Sequence, residues 1–171
     1  MLFETKRLYV IRWTKNDLDA LYQIFNDEAI KESIGPELTM EETENVFNTQ
    51  LNDYEKKPPF GRYFIVEKES NDCIGLFLLK ETQEEDSIEI GYSLIKKHWK
   101  KGYATEIVNE GVNWLFGQNK FLTIYAVTET DNINSQNVLL RCGFKSEENI
   151  LEDDKEMNLF SLVKQDTISA T

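Results

Sequence analysis

The sequence predicts an α+β protein, an α/β three-layer arrangement in which a mixed, mostly antiparallel central sheet is flanked by helices. Three observations support this class. Three strand-like runs follow one another between residues 60 and 95, with short polar turns between them, as in an antiparallel meander. Helical periodicity occurs before and after these runs, and strand-like runs follow the last two helices. The predicted order is β-α-α-β-β-β-α-β-α-β-β.

The N-terminal part predicts one strand and one helix. Residues 7–12, R-L-Y-V-I-R, are strand-like because apolar β-branched and aromatic residues are frequent in them. Between residues 18 and 25 the apolar residues recur at helical spacing. The side chain of Asn16 or Asp17 can cap this helix.

A second helix is predicted over residues 39–54. Thr39 and Glu42 have the spacing of a capping box, in which each side chain bonds the backbone N–H of the other residue. Pro58–Pro59 ends the helix because proline cannot continue the hydrogen-bond ladder.

The rest of the chain predicts three strands and then alternating helices and strands. The strands cover residues 60–67, 73–80 and 87–95. At 171 residues we expect a single domain over 1–171, with a frayed tail over about 165–171. The C-terminal elements are a helix over 103–116, a strand over 122–127, a helix over 134–141 that Gly143 ends, and strands near 144 and over 157–163.

The composition excludes several classes of protein. A formal net charge of −12 repels nucleic acid and attracts cationic substrates. No apolar run is long enough to span a membrane, and the N-terminus does not resemble a secretory signal, so we expect a cytoplasmic protein. Cys73 and Cys142 lack metal-ligand spacing and are expected to be reduced thiols, with no metal bound.

A cationic turn stands out against this acidic background. Lys96, Lys97, Lys100 and Lys101 lie just before a predicted helix start, beside Gly102. The first N–H groups of a helix have no partner within the helix and carry partial positive charge, so such a turn can bind a phosphate. A solvated loop is the alternative interpretation.

The same turn carries a family resemblance. W-K-K-G-Y-A at residues 99–104 resembles the Q/R-x-x-G-x-G/A diphosphate loop of the GNAT N-acetyltransferases, and its W and the G-Y-A-T-E continuation are similar to the branch that acetylates the N-termini of ribosomal proteins. Lys100 stands where that branch usually has a glycine. Segments of the same branch are matched in order by E-T-K-R-L at 4–8, E-I-G-Y-S-L at 89–94 and N-I-N-S-Q-N-V-L-L-R-C-G-F at 132–144.

The resemblance implies acetyl-CoA as the acetyl donor, an amine acceptor and a GNAT-like fold. It also implies a set of cofactor contacts, because the matched segments bind the pantetheine amides, the diphosphate and a further polar group of the donor. These residues are Tyr92, Ser93 and Leu94 at the end of a strand, Lys100, Lys101, Gly102, Tyr103, Ala104 and Thr105 in the loop and helix start, and Asn132 after the next strand. Asn132 could equally cap a helix, a role for which Asn134 and Ser135 compete.

Two residues are candidates for proton transfer. Many GNAT members use a tyrosine seven residues after the asparagine as the acid, but this position is Leu139, so we expect Ser135 to serve instead. Helix capping is the alternative role for Ser135. Glu89 lies on a central strand and is the candidate base, with a solvent-facing position as the alternative. His98 is expected to pack or to contact phosphate.

The predicted function is direct acetyl transfer to a primary amine, without a covalent enzyme intermediate. A peptide N-terminal α-amine is the favoured acceptor, and a polyamine, an antibiotic or another small amine is the alternative. Two other functions stay open: a non-catalytic acyl-CoA-binding module, and a nucleotide-binding protein, which the absence of G-x-x-x-x-G-K-[ST] disfavours. Monomer and homodimer are both compatible with the sequence. Trp13, Trp99 and Trp114 are expected in the core.

Overall fold

A computed structural model describes residues 1–165, and the side chains of all of these except residues 33 and 34. The helices are α1 Leu18–Phe25, α2 Glu28–Ile34, α3 Met40–Lys56, α4 Tyr103–Gly117 and α5 Ile133–Arg141. The strands are β1 Phe3–Glu4, β2 Leu8–Ile11, β3 Gly61–Glu67, β4 Cys73–Glu81, β5 Ser87–Leu94, β6 Thr123–Glu129, β7 Lys145–Ser146, β8 Ile150–Glu152 and β9 Lys155–Val163.

These strands form one sheet in the order β1-β2-β3-β4-β5-β6-β9-β7, with β8 also paired to β9. Strands β5 and β6 are parallel, and the other pairs are antiparallel. The crossover between β5 and β6 contains α4, as a parallel connection requires. The predicted mixed, mostly antiparallel sheet with flanking helices is therefore confirmed.

Helices pack on both faces of the sheet. Helix α4 lies so close to β4 that a Cβ atom added to Gly111 would be 3.0 Å from the Phe77 ring. On the opposite face, Phe64 of β3 packs against Trp13, with 5.4 Å between ring centroids, and Trp13 stacks on Phe47 of α3. Because side chains alternate along strands, these contacts assign α4 to one face and α3 to the other. Helix α5 packs against α4, and α1 packs against α2 and α3.

Of the caps predicted for α1 and α3, only the cap of α3 is present. The predicted capping box is present: the Thr39 hydroxyl accepts from the Glu42 N–H at 3.2 Å, and the Glu42 carboxylate accepts from the Thr39 N–H at 2.8 Å. The expected cap of α1 is wrong. Asp17 precedes this helix, but its carboxylate accepts from the N–H and hydroxyl of Thr14 instead.

Three short elements are absent from the predicted order: β1, α2 and β8. Helix α2 has 7 residues, too few for a clear helical period, and Asp27 caps it. Strand β8 forms a hairpin with β9 through Asp153 and Asp154, both with positive φ. Asparagine–glycine or aspartate–glycine is the usual sequence signal for such a turn. The pair Asp153–Asp154 lacks the glycine, so the sequence does not indicate this hairpin.

Further expectations concern a membrane span, the two cysteines, a metal site and the C-terminal tail. No helix within residues 1–165 is long and apolar enough to cross a bilayer. Cys73 and Cys142 are free thiols, and burial raises the pKa of Cys73 to about 12. In the same part of the chain, no three His, Cys, Asp or Glu side chains are grouped to hold a metal ion. Most of the predicted frayed tail, residues 166–171, lies outside the described residues.

Candidate functional site

A gap opens in the sheet where β5 and β6 diverge. Among the described residues, their parallel ladder covers three pairs, and the last is Glu89 with Tyr125. Beyond this pair β5 continues to Leu94 along β4, whereas β6 continues to Glu129 along β9. We call the space between the diverging strands the β5–β6 gap.

Backbone groups of β5 are directed into this gap. The Ile95 N–H bonds the Ile74 carbonyl at 2.9 Å, which fixes the alternation of the antiparallel β4–β5 ladder. By that alternation Ser93 turns its backbone polar groups toward β4, and Tyr92 and Leu94 turn theirs away from β4, toward the gap. The Leu94 carbonyl already accepts from the Trp99 indole N–H, which leaves the Leu94 N–H for a ligand. An extended ligand lying in the gap could therefore bond β5 as an added strand does.

The chain leaves β5 through a short turn and enters α4. A 3-10 turn over Lys96–His98 is followed by Lys100 with φ 60° and Gly102 with φ 80°, both left-handed. The Glu106 N–H bonds the Gly102 carbonyl at 3.1 Å and begins the helix. No described side chain caps α4, so its first N–H groups have no side-chain partner within residues 1–165. The predicted loop residues Lys100, Lys101, Gly102, Tyr103, Ala104 and Thr105 all lie in this turn or in the first turn of α4.

The loop keeps a positive surface. Lys96, Lys97, Lys100 and Lys101 are all exposed, so their charges add to the partial charge of the α4 N-terminus. The loop is therefore suited to a phosphate, as the sequence predicts.

Arg7, in the turn between β1 and β2, bonds this loop and the start of α4. Its Nη1 donates to the Lys101 carbonyl at 3.0 Å, and its Nε donates to Glu106 Oε2 at 2.7 Å. The guanidinium lies 4.3 Å from the centroid of the Tyr103 ring. Neither Arg7 nor Glu106 was predicted to act at the site. Both lie in the family-like segments E-T-K-R-L and G-Y-A-T-E, which was the available signal.

His98 and Trp99 lie inside the same turn. His98 is 5% exposed and packs near Tyr103, and neither ring nitrogen has a hydrogen-bond partner within residues 1–165. Burial lowers the pKa of His98, which favours the neutral ring. The expectation that Trp99 lies in the core is wrong. It is 39% exposed, and its indole N–H donates to the Leu94 carbonyl at 2.6 Å.

Ser135 lies beside Tyr92 at the α5 side of the gap. The two hydroxyl oxygens are 3.2 Å apart. Burial raises the pKa of Tyr92, and the bond with Ser135 partly offsets the effect. The Asn132 side-chain oxygen accepts from the Ser135 N–H at 3.0 Å, so Asn132 is the N-cap of α5. The predicted contact of Asn132 with the cofactor stays a prediction. The sequence analysis did not identify the Tyr92 hydroxyl as part of the site.

Glu89 lies on the opposite face of the sheet from Tyr92 and Ser135, since residues 89 and 92 differ by an odd number along β5. Its side chain is 18% exposed, and its carboxylate lies 3.5 Å from the Lys80 ammonium, which also bonds Glu152 at 2.7 Å. Burial raises the pKa of Glu89, and Lys80 partly offsets the rise. A partly buried carboxylate therefore flanks the gap on one face and a hydroxyl pair flanks it on the other.

Comparison with known proteins gives related sequences and related folds. The chain is 29% identical over 149 residues to "Uncharacterized N-acetyltransferase YoaA" of Bacillus subtilis (strain 168), covering 85% of this chain and 84% of that protein. It is 25% identical over 119 residues to the spermidine N(1)-acetyltransferase of Vibrio cholerae serotype O1, covering 69% and 66%. The crystal structure of ribosomal-protein-S5-alanine acetyltransferase from Vibrio fischeri matches with a TM-score of 0.77 at 20% identity, covering 96% and 97%.

A family model shows which family these relatives share with the chain. The model described as the acetyltransferase (GNAT) domain matches residues 7–145, which include the β5–β6 gap, the turn before α4 and helix α5. The chain therefore belongs to the GNAT acetyltransferase family, as an N-acetyltransferase that uses acetyl-CoA.

Proposed function

We propose that this enzyme acetylates the α-amine of a peptide or protein N-terminus by direct transfer from acetyl-CoA. One observation carries the proposal: the β5–β6 gap opens at Glu89, and β5 leads from there into the uncapped N-terminus of α4. The pantetheine arm would lie in the gap along Tyr92 and Leu94. The diphosphate would lie at the N–H groups of Gly102 to Thr105.

Glu89 is the proposed base. Its raised pKa makes it a stronger base than an ordinary exposed carboxylate, and it borders the gap on the α1 to α3 face. The neutral amine nitrogen attacks the thioester carbonyl carbon and forms a C–N bond. The proton that this nitrogen loses passes to Glu89, directly or through a water molecule.

Ser135 is the proposed acid, and Tyr92 is the proposed source of the proton that restores it. The C–S bond breaks as the tetrahedral intermediate collapses, and the departing sulfur takes a proton from the Ser135 hydroxyl. Tyr92 can pass its own proton to Ser135 across their 3.2 Å contact. Solvent then returns a proton to Tyr92, and Glu89 releases to solvent the proton that it took from the amine. Backbone N–H groups of β5 that face the gap would bond the developing oxyanion. The products are an acetylated amine and free CoA thiol.

The energy of amine deprotonation favours the α-amine. At pH 7 a free lysine with a pKa near 10.4 costs about 4.6 kcal/mol to neutralise, whereas an α-amine near 8 costs about 1.4 kcal/mol. A single carboxylate already paired with Lys80 is a modest base. The more acidic ammonium is therefore the easier substrate.

A second acceptor class has its own support. A surface cavity of about 640 Å³ lies beside Tyr125, the β6 partner of Glu89, and Glu147 and Glu148 line it. Carboxylates attract polycations. The likeness to a spermidine N(1)-acetyltransferase agrees with such a substrate. A polyamine or another small amine is thus the second candidate acceptor.

A thiol-release assay with acetyl-CoA separates these acceptors. It would compare peptides with free N-termini, the same peptides with blocked N-termini but free lysines, and spermidine. We expect turnover that requires the free N-terminus, and mass spectrometry should place the acetyl group on that nitrogen. Turnover with spermidine alone would favour the second class, and binding of CoA without turnover on any amine would contradict the proposed reaction. A trapped acetyl-enzyme would contradict direct transfer.

A further inference from the structure

We propose that Arg7 is a positioning residue for the acetyl donor, because it holds the peptide between Lys101 and Gly102 with its N–H directed at the donor diphosphate. The inference rests on the proposed donor site at the N-terminus of α4. It concerns a residue in the turn between β1 and β2, 94 positions from Lys101 in the chain.

The orientation follows from one hydrogen bond. Arg7 Nη1 donates to the Lys101 carbonyl oxygen at 3.0 Å. In a planar trans peptide the C=O and the following N–H point in opposite directions. Holding the Lys101 oxygen toward Arg7 therefore turns the Gly102 N–H away from Arg7. If this peptide rotated by half a turn, the oxygen would replace the N–H and repel an anion.

Gly102 makes such a rotation accessible. Its φ is 80°, and a Cβ atom added to it would meet only the Arg7 Nη2 within 4 Å, at 3.5 Å. Glycine loses little energy between left-handed and right-handed backbone regions. Contacts from outside the loop must therefore select one orientation, and Arg7 supplies one of them.

Arg7 is itself held in place. Glu106 Oε2 accepts from its Nε at 2.7 Å and lies 2.6 Å from its Nη2, while Glu106 Oε1 accepts from the Arg7 backbone N–H at 2.9 Å. The Tyr103 ring supports the guanidinium, and the Tyr103 hydroxyl donates to Glu67. Glu106 lies in the first turn of α4. Arg7 therefore connects the Lys101 carbonyl in the loop to the start of this helix.

This geometry requires the shape of arginine and not only its charge. Glu106 already neutralises the guanidinium, so its long-range effect on an anion is small. A planar guanidinium bonds a carbonyl and a carboxylate with different nitrogens at once, whereas a lysine offers one nitrogen on a flexible stem. Arg7→Lys should therefore behave nearly as Arg7→Ala does.

The test is a donor series with three variants. The donors are acetyl-CoA, acetyl-3′-dephospho-CoA and acetyl-pantetheine, which has no diphosphate. The variants are Arg7→Ala, Arg7→Lys and the control Arg12→Ala. Arg12 also pairs with a carboxylate, that of Glu55, and lies over a tyrosine ring, but at the other end of β2. Thermal unfolding would be measured for each.

For Arg7→Ala we expect KM to rise roughly 10-fold for both diphosphate donors, the change for about 1.4 kcal/mol of lost binding, with kcat nearly unchanged. With acetyl-pantetheine, kcat/KM should equal that of wild type. Arg7→Lys should restore little, and Arg12→Ala should leave all three donors unaffected.

Four results would overturn the inference while leaving the donor site in place. An equal loss with acetyl-pantetheine would mean general damage to the fold, and full rescue by lysine would mean a charge effect. A loss confined to acetyl-CoA would mean direct contact with the 3′-phosphate, and an unchanged KM would mean no role. Failure of the donor site itself looks different: wild type would then use acetyl-pantetheine as well as acetyl-CoA, and the inference would fall with it.

Discussion

The hydroxyl oxygens of Tyr92 and Ser135 lie 3.2 Å apart, one on β5 and the other on the first turn of α5. Leu139, the residue at the family's usual tyrosine position, is 1% exposed and belongs to the core. The tyrosine hydroxyl that Leu139 cannot supply on α5 therefore has a counterpart in the hydroxyl of Tyr92 on β5. Burial raises the pKa of Tyr92, which keeps its proton in place until a stronger base forms beside it.

Removal of the serine hydroxyl tests the acid. Ser135→Ala should lower kcat about 100-fold and change KM for acetyl-CoA little, because general acid catalysis acts on the leaving thiolate. Tyr92→Phe should lower kcat by a smaller factor. Ser146→Ala, an exposed serine on β7, is the matched control. Steady-state kinetics with an unchanged kcat in both site variants would leave the hydroxyl pair without a catalytic role.

The pH dependence of kcat/KM tests Glu89. The base must be ionised, so activity should fall as pH drops through a pKa that burial places above the ordinary carboxyl value. Lys80→Met should move this acid limb to higher pH, because Lys80 partly offsets the rise. Glu89→Gln should remove this limb, leave the separate limb that the substrate amine gives at about pH 8, and lower kcat/KM about 100-fold. An acid limb that stays in place in both variants would assign the titration to another group.

The same shift in pKa has a consequence for stability. A carboxyl whose pKa is raised by folding binds its proton more tightly in the folded state, so its contribution to stability is lost as pH rises through that pKa. At neutral pH, Glu89→Gln should therefore leave Tm unchanged or raise it. A large fall in Tm would mean that the Glu89 contact with Lys80 holds the fold, and lost activity would then say little about catalysis.

Lys100 is expected to strain the loop. Its φ of 60° costs a side chain about 1 kcal/mol or more, and glycine avoids that cost. Lys100→Gly should raise the free energy of unfolding by up to about 1 kcal/mol. The gain is reduced because glycine loses more conformational entropy on folding than lysine does. Asn119→Gly is the control, since Asn119 has a φ of 55° but asparagine tolerates this region better. Chemical denaturation would measure both, and destabilisation by Lys100→Gly would show that the Lys100 side chain makes stabilising contacts.

Substitution of Gly102 tests whether the loop binds CoA. Space exists for a Cβ atom, but a φ of 80° disfavours a branched side chain, so Gly102→Val should rearrange the turn and abolish CoA binding. Gly117→Ala, at the other end of α4 with open space around it, should bind CoA as wild type does. Calorimetry would measure the affinities and circular dichroism the fold. Wild-type affinity in Gly102→Val would remove the loop from the donor site.

Features encoded by neighbouring residues were predictable from the sequence. The capping box of Thr39 and Glu42 depends on residues three apart, and the α4 start is marked by Gly102 and by the apolar period that follows it. Glu89 was chosen as a charge on a central strand and Ser135 as a hydroxyl in a family-like segment, and their catalytic roles stay predictions.

Features that depend on distant residues were not predictable. The contact of Arg7 with the Lys101 carbonyl joins positions 94 apart, and no spacing in the sequence indicates it. The hydroxyl of Tyr92 was missed because only the register of β5 decides which face its side chain occupies. Trp99 was misplaced because its large ring suggests the core, whereas its indole N–H needs the Leu94 carbonyl at the rim of the sheet.

A crystal structure with acetyl-CoA tests the central claim most directly. We predict the diphosphate within hydrogen-bond distance of the N–H groups of Gly102 to Thr105. We predict the pantetheine arm in the β5–β6 gap, with its amides bonded to the backbone of Tyr92 and to the Leu94 N–H. A diphosphate bound elsewhere, or a gap closed by neighbouring side chains when the donor is bound, would contradict it.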